Sequence, residues 1–219
     1  MTKRSPTLVL ALAAAFAAVV PAVAGAQATA ATAPAAASPS KLVLDNSTRI
    51  LSTLETRRAE FTRNRGALRQ FVSGEFNTMF DRDYAARLVL GVHGRGASEA
   101  DVKLFADALA ESLMSRYGSS LLDFNTKLKV RVKSERALPN NRGVVVASEF
   151  VRQAGEPIPV SYFMRKTGGG WKVFDVSVEG VSFVTTFRSQ FDGPLRRKSI
   201  AQVAADLKSG NLTVDAQTN

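Results

Sequence analysis

Along this chain the spacing of apolar residues changes from threes and fours to twos. Leu42, Ile50, Leu51 and Leu54 open a helical pattern that runs on through a basic stretch, Arg57 to Arg69. Leu68, Phe71, Val72, Phe76, Met79 and Phe80 then recur at threes and fours, which predicts a second amphipathic helix. Asp81 is placed to cap a third helix carrying Ala85, Leu88 and Val89, and the cluster Gly91, Gly94 and Gly96 stops it. Ser98 stands three residues before Asp101, the spacing of an N-terminal cap. The stripe Val102, Phe105, Leu109, Leu113 and Tyr117 follows, and Gly118 interrupts it before Leu121 and Leu122.

After Asp123 the period is two. Lys127 to Lys133 alternates strictly between basic and apolar residues, so it reads as a strand with one wet face and one buried face. Pro139-Asn140-Asn141-Arg142-Gly143 is turn chemistry, and strands over Val144–Val151 and Ile158–Lys166 follow. Gly168-Gly169-Gly170 joins the last of these to a fourth strand, Trp171–Val178. Helical spacing returns after Gly180 at Val181, Val184, Phe187, Arg188 and Phe191, and a final helix runs from Ile200 to Leu207 before Gly210. Helices, then consecutive short-looped strands, then short helices make an α+β fold with an antiparallel meander.

The first residues change the compartment. Lys3 and Arg4 precede an unbroken apolar run, Leu8 to Val20, and Ala22-Val23-Ala24 and Ala24-Gly25-Ala26 both fit a signal-peptidase site. That run is shorter than the roughly 20 residues a spanning helix needs, so residues 1–26 are expected to be a cleaved signal peptide. Residues 27–40 are almost wholly Ala, Thr, Pro and Ser and are expected to be a disordered leader. One domain over 41–212 and a tail expected to be disordered, 213–219, complete the division. The chain has no cysteine, which excludes a lipoprotein anchor and disulfides alike.

Charge and chemistry narrow the classes further. The chain carries +10, two units of which are Lys3 and Arg4, leaving +8 on the remainder. Arg57, Arg58, Arg63, Arg65 and Arg69 raise the question of nucleic acid, but export and the lack of a recognised nucleic-acid module oppose it. Steering toward anionic membranes or acidic partners, through Lys127, Lys129, Arg131, Lys133 and the cluster Arg196-Arg197-Lys198, stands beside a plain solvated face. No enzyme is expected. The single histidine, His93, lies between residues of a glycine-rich loop, and there is neither a cysteine nucleophile nor a Gly-x-Ser-x-Gly elbow. Metal-ligand spacing is also missing, and no cofactor is expected.

Trp171 to Phe191 reads W-K-V-F-D-V-S-V-E-G-V-S-F-V-T-T-F-R-S-Q-F, a strand running into a helix. This stretch resembles the signature of the MlaC/Ttg2D family, periplasmic phospholipid-binding components of an ABC-linked transport system. The likeness extends to the helical half from Phe76 and to Gly155-Glu156-Pro157-Ile158-Pro159-Val160-Ser161-Tyr162, covering roughly residues 70–210. The basic segment Arg57–Arg69 has no counterpart in the pattern. The resemblance implies N-terminal helices packed on a curled antiparallel sheet of four strands or slightly more, NTF2- or cystatin-like, around an apolar cavity. It also implies a monomeric periplasmic carrier of glycerophospholipids, with an inner-membrane ABC transporter complex and an outer-membrane lipoprotein complex as partners. Two acyl chains carry on the order of 28 methylenes at about 0.8 kcal/mol each, so roughly 20 kcal/mol of apolar surface must be hidden in transit.

The residues expected to line such a pocket are Phe76, Met79, Leu109, Leu113, Val130, Val146, Tyr162, Val173, Val181, Val184 and Phe187; the same faces would supply ordinary core in a closed sandwich. Arg188 is read as an ion-pair partner of Asp175 or Glu179, or as a contact to a head-group phosphate. Trp171 is read as a strand anchor or a lipid contact. A charged head group buried without partners is costly, so the head group is expected near solvent and the carrier tolerant of its identity. An exported binder of another apolar ligand, such as a hopanoid or isoprenoid, and a ligand-free envelope interaction module are the alternatives.

Overall fold

The structure, a computed structural model, describes residues 37–118, 122 and 128–215. The segment assigned as signal peptide, most of the Ala/Thr/Pro leader, Leu121, Lys127 and residues 216–219 of the tail lie outside the described residues.

The domain begins with α1, Pro39–Thr56, whose Ser38 cap accepts the Lys41 N–H and whose first position is proline. The helical pattern expected to run on through the basic stretch is instead a corner. Chain direction changes at Arg57 and again at Asn64, giving α2 (Arg58–Arg63) and α3 (Arg65–Met79). Leu54, Phe61 and Leu68 explain the corner. Seven residues apart, they would share one face of a straight helix but stand about 10 Å from each other along it. Folding back gathers them with Leu122 into one buried cluster, where Phe61 stacks on Phe71 at 5.6 Å. The arginines serve this corner from outside: Arg57 pairs with Glu60 and lies 4.5 Å over the Phe61 ring, and Arg58 donates to the Leu122 carbonyl.

Two further helices start where their caps predict. Asp81 accepts the Tyr84 N–H to open α4 (Arg82–Leu90), and Ser98 accepts the Asp101 N–H at 3.0 Å to open α5 (Glu99–Tyr117).

The sheet is an antiparallel meander in the order β1 (Lys129–Ala137), β2 (Val144–Val151), β3 (Ile158–Thr167), β4 (Gly170–Val178) and β5 (Val181–Ser182). The fifth strand takes Val181, which the spacing had assigned to a helix. The β1–β2 turn places Asn140 and Asn141 at φ 57 and 52. Gly143 follows at φ +135, where a Cβ would sit 1.9 Å from the Met164 carbonyl oxygen, so no side chain fits. Shifts of register at Val132/Ser134 and Phe163/Met164 are bulges, which bend and twist the ladder locally.

Cross-strand pairing sorts the sheet's faces. Val146, Tyr162 and Val176 form one row; with Val160, Met164 and Val173 they make a buried cluster that includes Val43 of α1. The alternate row, Val145, Phe163 and Asp175, points the other way. On that side Phe174 meets Tyr84 edge-on at 5.3 Å, and Arg165 pairs with Asp81 at the start of α4.

Two helices complete the domain. α6 (Phe183–Arg197) continues past Phe191 through Gly193 and Pro194, and α7 (Ile200–Ser209) opens on a Ser199/Gln202 capping box and closes at Gly210. With α4 and α5 they enclose a third buried cluster, centred on Phe105, Phe191, Val102 and Val203. Phe183 packs against both this cluster and that of the sheet.

Candidate functional site

A cleft of ≈ 350 Å³ opens between α3 and α5, with Arg82 of α4 also on its wall. α3 contributes Arg69, Ser73, Phe76 and Asn77, and α5 contributes Asp107, Ala110, Glu111, Met114 and Ser115. Both sets follow helical spacing, so each helix lays a mainly polar stripe along its side of the opening. Arg82 fastens the walls: one guanidinium nitrogen donates to Asn77 Oδ1 at 2.8 Å and another pairs with Asp107, which Lys103 also approaches at 3.5 Å. The Arg82 Nε–H is fully buried without an acceptor, and such an unmade bond costs about 1–3 kcal/mol.

Phe76 links this polar opening to the sheet. Its ring stacks on Phe80 at 4.2 Å between centroids, and Phe80 packs against the sheet cluster, bridging to Val173. The Asp81 N–H donates to the Val173 carbonyl at 2.8 Å, holding this junction in place.

The residues expected to line a pocket therefore fall into groups. Val146, Tyr162 and Val173 lie together in the sheet cluster, and Phe76 approaches them through Phe80. Val130 is half-buried and pairs with Phe150, which packs on the same cluster. Leu109, Val184 and Phe187 belong to the helical cluster, with Leu113 packed against it. Met79 is half-buried in the last turn of α3, and Val181 is half-buried opposite Val178. Trp171 packs on the sheet cluster from the start of β4, as a strand anchor does. Tyr162 is the one polar member of its group; its hydroxyl meets Ser47 of α1 at 3.3 Å, and burial raises its pKa.

Of the two roles expected of Arg188, the ion pair with Asp175 or Glu179 is not formed; the Arg188 Nε donates to the Leu88 carbonyl at 2.8 Å, tying α6 to α4. Asp175 is satisfied by other groups. It accepts the Ser182 hydroxyl at 2.6 Å and the Val184 N–H at 3.0 Å, so it seats the first turn of α6 on β4. Burial pushes its carboxyl above the usual carboxylate range; those two bonds, a third from the Val176 backbone and the more distant Arg188 charge only partly oppose the rise. A raised acid favours the folded state most when protonated. Its contribution is complete below about pH 4, the ordinary aspartate value, and is lost as pH rises through the folded-state value. Asp175→Asn should therefore be more stable than the parent at pH 7, with the gap closing on acidification. Urea melts at pH 7 and pH 3 check this, and a gap that widens toward low pH would refute it.

The cations proposed for steering are partly neutralised. Glu149, only 7% exposed, takes Arg131 and Lys133, and the Arg131 bond chiefly holds its carboxyl below the usual range. Arg196 and Lys198 pair with Asp192 and Asp206. His93 meets Asp192 at 2.9 Å. Among the described residues no three His, Cys, Asp or Glu side chains are grouped to hold a metal, and no helix is long and apolar enough to cross a membrane.

The apolar stripes pointed to one residue of the cleft's lining, Phe76, and to none of its polar members. The cleft's signal lay in the polar positions at the same spacing, Arg69-Ser73-Asn77 and Asp107-Glu111-Ser115.

An antiparallel meander with helices on it, and a charged cleft that reaches one aromatic ring, Phe76, make an α+β scaffold. The chain belongs to the family described as MlaC protein, which it matches over residues 44–209. It is 27% identical over 164 residues to the toluene tolerance protein ttg2D of Pseudomonas putida, covering 74% of this chain and 75% of that one. It is 23% identical over 172 residues to the intermembrane phospholipid transport system binding protein MlaC of Haemophilus influenzae, covering 77% and 80%. The fold is shared, at a TM-score of 0.70 and 22% identity, with a phospholipid-binding protein of Ralstonia solanacearum whose structure holds a phospholipid; the likeness covers 80% of this chain and 97% of that one.

Proposed function

We propose that this protein is an exported, periplasmic carrier of glycerophospholipids. It takes lipid from one membrane-attached assembly and yields it to another, with an inner-membrane ABC transporter complex and an outer-membrane lipoprotein complex as its partners. Membership of the MlaC family over residues 44–209 is the observation that carries this reading. The names of the relatives and the phospholipid in the structure that shares the fold support it.

The geometry adds a mechanism. Two acyl chains of about 28 methylenes in all, each as large as a water molecule at roughly 30 Å³, need on the order of 800 Å³. The walls of the cleft are mostly polar, so chains of that volume lie beyond it. The junction at Phe76 and Phe80 is where aromatic packing leads from the cleft to the sheet cluster. Chains that pass there lie against Val173, Tyr162 and Val146, with the head group left at the polar opening. ATP hydrolysis belongs to the transporter, since this chain has no Gly-Lys-Ser/Thr phosphate loop.

Mass spectrometry of the protein purified without detergent tests the reading. Native spectra should show stoichiometric glycerophospholipid that leaves only on denaturation, and organic extracts should identify its chains. A different apolar molecule would keep the pocket and change the substrate. Protein that arrives empty and refuses added phospholipid would overturn the carrier reading.

A further inference from the structure

The charges around the cleft are not all spoken for. Asp107 is engaged by Arg82 and approached by Lys103. Arg69 on α3 and Glu111 on α5 also line the opening, yet among the described residues neither makes a hydrogen bond or an ion pair, with each other or with anything else. One unpaired cation and one unpaired anion therefore face a common space from opposite walls. Beside them Arg82 carries a donor with no acceptor. The lining also carries the apolar, half-buried Phe76 and Met114.

We infer that this cleft receives a zwitterionic phosphodiester head group, of the phosphoethanolamine kind, and that Glu111 sets a preference for it. The inference rests on the carrier reading above and adds a head-group site to it. Phosphate oxygens take N–H donors from Arg69, a charge-assisted match to guanidinium geometry, while Arg82, held by Asn77 and Asp107, adds its positive charge to the wall. The ammonium meets Glu111. A lipid with a net negative head group finds the same arginines but also a carboxylate that no cation neutralises. That asymmetry separates the two lipid classes. A site built for phosphate alone would gain nothing from Glu111 at its edge. The acyl chains then leave the phosphate toward Phe76, so one orientation satisfies both ends of the molecule. Arg188, for which a phosphate contact was one of two expected roles, donates its Nε to Leu88 and does not line this cleft.

Both residues are exposed, so exchanging them leaves the fold in place. Purified protein is incubated with vesicles of equimolar phosphatidylethanolamine and phosphatidylglycerol carrying identical chains, then re-isolated, extracted and quantified. A single solvent-facing ion pair of this kind corresponds to a ratio of about two- to fivefold, so the parent should load phosphatidylethanolamine in that excess. Glu111→Gln should bring the ratio near one, and Glu111→Lys should turn it toward phosphatidylglycerol. Lipid loaded at the same ratio in parent and both variants overturns the head-group site and leaves the carrier reading standing. No lipid in any of them overturns the carrier reading and this inference with it.

Discussion

Phe191→Ala is expected to lower the free energy of unfolding by about 3–5 kcal/mol, a large share of the roughly 5–15 kcal/mol that holds a domain together. The ring is wholly buried and stands edge-on to Phe105, with centroids 5.0 Å apart. It joins α6 to α5, and Val203 and Leu207 of α7 lie in the same cluster. Truncation removes the apolar contact and leaves a void that three helices from separate parts of the chain cannot close without shifting together. The edge-to-face pair adds a further 0.5–1.5 kcal/mol or so beyond buried area. With a urea slope of about 1–3 kcal/mol per molar, the midpoint should fall by roughly 2 M at unchanged slope. A loss below about 1 kcal/mol would mean that α6 is not seated on α5 as described.

How much of this could be read from residues alone depends on where the deciding force was local. Asp81 and Ser98 opened their helices as expected because a cap acts on N–H groups two or three residues away. The meander was legible for the same reason: period-two runs and glycine or asparagine turns each settle a few adjacent residues. The corner at Arg57 and Asn64 was not. Arginine and glutamate are good helix formers, and only the joint burial of Leu54, Phe61, Leu68 and Leu122 makes the chain fold back. Val181 looked helical by spacing, yet its backbone pairs with Val178 across the Glu179-Gly180 turn before α6 begins. Past Phe191 the helix keeps going through Pro194, against that residue's own preference, where Leu195 reaches the buried helical cluster.

The expected site residues show the same division. Each was chosen for lying on an apolar face, and most do lie in a core cluster, but a face does not say which cluster. Val146, Tyr162 and Val173 met in the sheet; Leu109, Val184 and Phe187 met among helices. What selects between a filled core and a ligand path is contact across elements distant in sequence, such as Phe80 on Val173. The charged rim was harder still. Arg69 and Glu111 look like any solvated pair of helix positions until α3 and α5 are placed side by side.

Phe76→Asp should reduce co-purified phospholipid at least tenfold while the protein stays folded. The two consequences separate because the residue stands at the boundary between the cleft and the aromatic junction. It is half-buried, and its loss removes the stack on Phe80, about 0.5–1.5 kcal/mol with some apolar area besides. Without lipid, the new carboxylate faces an opening lined by Arg69 and Arg82 and keeps its solvation. Acyl chains lying across the junction would bury it instead, and covering a polar group without a partner costs about 2–7 kcal/mol, far above the 1.4 kcal/mol that makes a factor of ten. Phe71→Ala supplies the contrast: it breaks the stack on Phe61 in the basic corner, so it should cost comparable stability and leave lipid content untouched. Lipid-to-protein ratios by extraction, read beside urea midpoints for both variants, decide the matter. Full lipid content in folded Phe76→Asp would place the acyl path elsewhere, and equal lipid loss in both variants would trace the effect to stability.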